Sequence, residues 1–313
     1  MVQLNSSSMS DLHNCSINDF KKVVYPTIYL TVFILGVTGN SLSIYVFLQP
    51  YKKKTSVNVF MLNLAISDCL FVLTLPFRVH YYLYDSVWVF GDAGCRIMAY
   101  SLYVNMYCSI YFLTVLSIVR FVAIVHPFKH LKLTAIKYSR IICVVIWVFV
   151  LATASPLLAV GPSSNTTCLD LHPNSTDKMR GLNYFSLGLG FILPFCTIIL
   201  CYVLVIKALL KTKLPQAKIR ASHKKAMSTI IITLFMFLLC FLPYHILRTI
   251  YLEWGNGTKS NCSLHKGAVV TLGLAATNSC LDPVLYYFVG ENFKERLRSI
   301  CKKQGTQHQM DIP

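Results

Sequence analysis

Ile141-Ile-Cys-Val-Val-Ile-Trp-Val-Phe-Val-Leu-Ala-Thr-Ala-Ser-Pro-Leu-Leu-Ala-Val160 runs for twenty residues without a charged side chain. A helix rises about 1.5 Å per residue, so about 20 apolar residues cross a hydrocarbon layer about 30 Å thick. The surrounding run, 138–160, is one of seven; the others lie at 24–49, 57–84, 93–126, 182–210, 226–252 and 266–289. Composition points the same way: 55% of residues are apolar, 13% are charged, and mean hydropathy is +0.56. That is too apolar for a surface facing water. The expected fold is an all-α membrane protein, a seven-transmembrane-helix bundle over 24–289. A polar segment, 1–23, precedes it and carries no apolar h-region, so no cleavable signal peptide is expected there. In 290–313, Phe293, Leu297 and Ile300 recur at helical spacing against Lys294, Arg296 and Arg298. That pattern predicts a short amphipathic C-terminal helix lying on the interface.

Two independent signals orient the bundle. Asn-x-Ser/Thr sequons, candidate glycosylation sites, occur at Asn5, Asn14, Asn165, Asn174, Asn256 and Asn261. All lie before helix 1, between helices 4 and 5, or between helices 6 and 7. Basic clusters fall on the other side, at Lys52–Lys54, Lys129 with Lys132 and Lys137, Lys211 to Lys225, and Lys294 to Lys303. Lys21 and Lys22 oppose this and are outvoted. By the positive-inside rule the N-terminus is extracellular and the C-terminus cytoplasmic, as in a multi-pass protein of the plasma membrane. The net charge of +17 therefore sets topology and faces anionic membrane lipid rather than nucleic acid.

Twelve cysteines fit no paired zinc spacing. Most lie within apolar runs and serve as small packing residues. Cys15, Cys95, Cys168 and Cys262 fall on the outer, oxidising side; four cysteines allow three pairings, and spacing does not choose among them. No nucleophile–base constellation, phosphate loop or metal motif supports an enzyme. A transporter or channel is disfavoured because no internal repeat or broken-helix pair recurs in two halves.

Polar residues at bilayer depth are costly and call for an explanation. Asp68 in helix 2 and Asp282 in helix 7 lie near the depth of Asn40, Asn105, Ser109 and Asn278. Together they could surround a small cation, sodium, or form a hydrated network that packs helices; no other cofactor is expected. Toward the outer ends stand Arg78 and Tyr82, then Tyr244, His245 and Arg248. Tyr100, Tyr103 and Tyr107 share one face of helix 3. Two arginines without nearby acids, among tyrosines, suggest a pocket for an anionic, partly apolar ligand. The competing explanation is snorkelling arginines in an aromatic belt.

These residues carry a pattern that resembles rhodopsin-like G-protein-coupled receptors over nearly the whole chain. Its pieces are Gly39-Asn40, Asn63-Leu64-Ala65 with Asp68, Cys95, Arg120, Trp147, Pro194 with Tyr202, Cys240-Phe-Leu-Pro243 and Asp282-Pro-Val-Leu-Tyr286. Each is weak alone; seven in order, one per helix, are specific. The resemblance implies disulfides Cys95–Cys168 and Cys15–Cys262, and coupling to a heterotrimeric G protein at Arg120. Two departures stand out. Val119-Arg120-Phe121 replaces Asp-Arg-Tyr, and His223 occupies a position that is often acidic, so the usual carboxylate lock on the arginine is missing. Helix 6 carries Phe241 where many relatives have tryptophan. Ala276 replaces the retinal lysine of opsins, and Leu102 the aspartate of amine receptors.

Within the class, Phe241-Leu-Pro-Tyr-His245-Ile-Leu-Arg248, Trp88-Val-Phe-Gly91 and Asp282 resemble the receptors for nucleotides and lipid mediators. Tyr103-Val-Asn-Met-Tyr-Cys-Ser109, Phe77-Arg-Val, Ser222-His-Lys-Lys-Ala and Pro243-Tyr-His-Ile-Leu-Arg-Thr are closest to the cysteinyl leukotriene receptors. Phe60-Met-Leu-Asn-Leu-Ala and Gly290-Glu-Asn-Phe-Lys fit the second subtype of that family better than the first. The resemblance implies a cysteinyl leukotriene as ligand, its carboxylates on Arg78 and Arg248, and a G protein of the Gq family. A nucleotide ligand is the alternative, because His245 and Arg248 also match a phosphate-binding pattern.

Overall fold

The computed structural model describes residues 17–49, 55–126, 135–159, 168, 176–211, 217–254, 262–290 and 293–300. Seven helices are long and apolar enough to cross a membrane. They are α1 Ile17–Leu48, α2 Ser56–Leu83, α3 Gly91–Val125, α4 Ile136–Ala159, α5 Thr176–Lys211, α6 Ala217–Trp254 and α7 Cys262–Val289. An eighth helix, α8, spans 293–300, where the amphipathic pattern placed it. Among the described residues there is no strand. Hydrocarbon offers no partner to a backbone N–H or C=O, so each crossing segment must satisfy itself, as helices do. α3 is the central post and packs against α2, α4, α5 and α6, while α7 closes the bundle between α1, α2 and α6. The sequons, the basic clusters Lys52–Lys54 and Lys129 with Lys132, Cys15 and Cys301 lie outside the described residues, as do the side chains of Lys211 to Lys225, His223 included.

Prolines decide where the helices deviate. Pro76 lacks an N–H and interrupts α2 at Leu73–Thr74. There the Phe71 carbonyl accepts from both the backbone N–H and the hydroxyl of Thr74, at 2.9 and 2.7 Å. Upstream of Pro194, residues Ser186–Ile192 of α5 widen into a π-turn. Phe237–Phe241 of α6 do the same before Pro243. In α7 the carbonyl that Pro283 cannot serve is that of Ser279, four residues back. The Asn40 amide of α1 donates to it across the helix pair at 2.7 Å. Close packing makes this possible: a Cβ on Gly39 would stand 2.7 Å from the Pro283 ring. One asparagine thus ties α1 to α7 and mends a proline defect.

α1 begins at Ile17, ahead of its apolar run. Lys21 and Lys22 are helical, and Lys22 reaches Asp85 beyond the end of α2 at 2.8 Å. Tyr25 stacks on Tyr29 and Tyr82 with centroids 5.2 and 4.3 Å away. At the same end Cys95 in the first turns of α3 is disulfide-bonded to Cys168, with Cα atoms 5.7 Å apart. Cys262, opening α7, is also disulfide-bonded; Cys15, the partner that the resemblance implies, lies outside the described residues. α8 packs back through Phe293 against Phe47, with centroids 5.3 Å apart.

Candidate functional site

Three polar sites follow one another down the bundle, from the Cys95 end to the Arg120 end. The middle one is sealed: Asp68 and Asp282 are both 0% exposed. Asn105 donates to the Asp68 carboxylate at 2.9 Å and accepts from Ser279 Oγ at 3.0 Å. Tyr286 donates to the other Asp68 oxygen at 3.5 Å, and Asn278 to Asp282 at 3.0 Å. The two carboxyls are close enough to interact electrostatically. Ser109 Oγ, Asn278 Oδ1 and Asp282 Oδ1 are buried with no hydrogen-bond partner. Hard oxygens left over beside two acids suit a small hard cation. Asn40 Nδ2 donates to the carbonyls of Gly36 and Ser279, and its Oδ1 is likewise buried without a partner. Ser279 and Tyr286 were not foreseen as members. Ser279 could have been found by its place on the same stretch of α7 as Asn278 and Asp282.

Above it, a cavity of about 670 Å³ opens between α3, α4, α5 and α6. Tyr103, Tyr107 and Tyr111 line it from α3, four residues apart and therefore on one face. Tyr244 and Arg248, also four apart, line it from α6. α4 contributes Phe149, Thr153 and Leu157; α5 contributes Leu182, Asn183, Ser186 and Leu189. Tyr244 donates to Tyr103 at 3.3 Å. Tyr111 donates to the Leu189 carbonyl at 2.9 Å, inside the widened turn of α5. Gly190 is the close-approach point of that turn: a Cβ there would stand 2.6 Å from the Tyr107 ring. Arg248 has tyrosines as its electrostatic neighbours, and among the described residues no carboxylate pairs with it. The cavity therefore offers one cation, several hydroxyls and long apolar walls.

Not every expected pocket residue reaches this cavity. Arg78 is 1% exposed and donates to the Met98 carbonyl of α3. Its guanidinium lies 6.0 Å from the centre of the Tyr29 ring, and it does not line the cavity. Tyr82 packs against Tyr25 beside it. Tyr100 donates to the Leu151 carbonyl of α4 at 3.0 Å, and His245 stacks on Phe191 with centroids 4.6 Å apart. The Nε2 of His245 has no hydrogen-bond partner. The structure thus brings together Tyr103, Tyr107, Tyr244 and Arg248, adds Tyr111 and Asn183, and leaves Arg78, Tyr82, Tyr100 and His245 behind the lining. Tyr111 continues the four-residue tyrosine spacing, a signal the sequence carried.

The third site is the base of α3. Arg120 is 8% exposed and donates to the carbonyl of Val289, the last residue of α7, at 3.2 Å. A helix C-terminus carries partial negative charge on its unserved carbonyls, so it can stand in for an acid. Val119 packs half-buried against the core.

The fold and this polar ladder meet a match to 7 transmembrane receptor (rhodopsin family) over residues 39–286. The chain belongs to the rhodopsin family of seven-transmembrane receptors. Rhodopsin-family proteins are G-protein-coupled receptors rather than enzymes, and this receptor is a multi-pass membrane protein. It is 57% identical to Cysteinyl leukotriene receptor 2 of Sus scrofa over 298 residues, 94% of this chain and 86% of the relative. Identity to Cysteinyl leukotriene receptor 1 of Homo sapiens is 43% over 297 residues, 92% of this chain and 88% of the relative. With the Uracil nucleotide/cysteinyl leukotriene receptor of Rattus norvegicus it is 36% over 295 residues, 91% and 85%. The higher identity to receptor 2 agrees with the expectation of the second subtype.

Proposed function

We propose that this receptor binds a cysteinyl leukotriene at the plasma membrane, with its N-terminus outside, and signals through a G protein of the Gq family. The observation that carries the ligand class is the cavity: Arg248, with which no carboxylate pairs among the described residues, stands among tyrosine hydroxyls beside the apolar walls of Phe149, Leu157, Leu182 and Leu189. Arg248 takes a carboxylate of the peptide part, Tyr103, Tyr107 and Tyr244 hydrogen-bond it, and the lipid tail lies against the apolar wall. A second carboxylate would reach Arg78 only after its guanidinium leaves the Met98 carbonyl. A nucleotide is the second candidate, supported by Arg248 and by the likeness to the Uracil nucleotide/cysteinyl leukotriene receptor of Rattus norvegicus.

Signalling is a shift between two populations. Agonist favours the arrangement in which the Arg120 end of α6 swings outward about the widened turn and Pro243. That opens a cleft beside Arg120 for the G protein, with the basic segment Lys211 to Lys225 facing the same partner. Asp68, Asn105, Ser109, Asn278 and Asp282 are the residues that would hold a sodium ion, whose positive charge would balance the carboxylates and favour the resting arrangement. Cys15–Cys262 and glycans on the outer sequons complete the extracellular face. A calcium assay in cells expressing the receptor, run against leukotrienes and nucleotides in parallel, tests the assignment. Responses to cysteinyl leukotrienes at far lower concentration than to any nucleotide support it; the reverse order overturns it.

A further inference from the structure

We propose that a polar clasp joining the Cys95 ends of α5 and α6 sets how long a ligand stays in the cavity. This rests on the cavity being the ligand site.

On α5, Arg180, Asn183 and Tyr184 share one face. On α6, Thr249, Leu252 and Glu253 share the face opposite. Arg180 Nε donates to the Leu252 carbonyl at 3.1 Å, and Nη2 to the Glu253 carbonyl at 3.5 Å. These are carbonyls of the last turn of α6, which ends at Trp254 and leaves them without intrahelical partners. A cation there also meets the negative end of the helix dipole. The same Nε stands 3.5 Å from Glu253 Oε1, and Tyr184 donates its hydroxyl to that oxygen at 2.8 Å. Asn183 donates to Thr249 Oγ1 at 3.0 Å. Asn183 is also a cavity wall, and Thr249 adjoins Arg248. One contact is therefore both latch and lining.

The segment Leu242–Trp254 is the piece of α6 above the widened turn, with Pro243 in its first turn. Its lower end is a hinge, and the clasp fixes its upper end to α5. Arg180 and Glu253 side chains are 35% and 34% exposed, so solvent screens their attraction. A set of weak, partly wet bonds can open and close without unfolding either helix. When it opens, Arg248 and Asn183 part and the cavity loses its wall at that point. Arg180, Asn183 and Tyr184 are thus positioning residues that hold Arg248 on the ligand.

The test uses the full-length receptor in lipid nanodiscs, with two readouts. Hydrogen–deuterium exchange of 249–254 without ligand reads the clasp itself. Arg180→Ala and Tyr184→Phe should exchange faster there than wild type, and Arg180→Lys, which keeps a cation at the carbonyls, should stay close to wild type. Dissociation of a labelled cysteinyl leukotriene reads residence. Arg180→Ala and Glu253→Ala should each release it about fivefold faster, with association changed less. The double variant should be no faster than the faster single one, since both changes break one unit. Tyr184→Phe deletes one hydroxyl, leaves folding intact and should follow the same direction. Unchanged exchange in Arg180→Ala and Tyr184→Phe would overturn the clasp. Raised exchange with unchanged dissociation would overturn its control of residence. Failure of the wild type to bind leukotriene would overturn the ligand assignment, with the exchange readout still deciding the clasp.

Discussion

Asn40→Ala removes the donor that serves the Ser279 carbonyl, which Pro283 leaves open. Asn40 and Ser279 are 0% exposed, so no water replaces the lost amide. A buried acceptor left without a partner costs about 1–3 kcal/mol. The second bond of that amide, to Gly36 at 3.0 Å, is to a carbonyl already inside the α1 ladder, so its loss adds little. Pro283→Ala restores an N–H that can reach Ser279 within the helix, so in that background Asn40→Ala should cost far less. Pro283→Ala carries its own cost, because the ring packs on Gly39, but the cycle subtracts it. The expected coupling is about 1–2 kcal/mol, the worth of the rescued acceptor. Apparent Tm at one fixed scan rate, measured on purified receptor for the wild type, both single variants and the double variant, gives it. Additive losses would refute the claim that Asn40 is there to mend the proline defect.

Val119→Asp should offer the Arg120 guanidinium a carboxylate in place of the Val289 carbonyl. A charge-assisted, partly screened contact is worth about 0.5–2 kcal/mol, so basal signalling should fall and agonist response shift right by up to about thirtyfold. Unchanged or higher basal activity at wild-type surface levels would show that the resting state is held elsewhere. Sodium should lower agonist affinity and Asp68→Asn should abolish the effect; equal agonist binding in sodium and in a bulky organic cation would remove the ion from the polar cluster.

Hydropathy made the seven crossings legible because the need for apolar length acts on each segment separately. The start of α1 was not, because Lys21 and Lys22 lie ahead of the apolar run and are held by tertiary contacts, Lys22 with Asp85 among them. The widened turns at Ser186–Ile192 and Phe237–Phe241 were also hidden. Proline announces a disturbance upstream but not its form. For the sites, Asp68 and Asp282 were legible because a carboxyl inside an apolar run has few explanations. Tyr103, Tyr107, Tyr244 and Arg248 were legible from four-residue spacing. The separation of Arg78 from Arg248 was not. Each residue turns a helix by roughly 100°, so the irregularity at Leu73–Thr74 re-aims everything after it. Arg78 then faces α1 and α3 rather than the cavity, and nothing in the spacing records that rotation. The Arg120–Val289 contact was legible only as a vacancy: the sequence lacked an acid, and the acceptor turned out to be backbone.

Saturation binding of a labelled cysteinyl leukotriene to wild type and Arg248→Ala tests whether an anionic lipid mediator binds in the cavity with its carboxylate on Arg248. The wild type should bind saturably. The variant, at equal surface expression, should bind about tenfold to a hundredfold more weakly, the loss of one charge-assisted hydrogen bond worth about 1.5–3 kcal/mol. Absence of saturable binding to the wild type, or equal affinity in the two receptors, would contradict it.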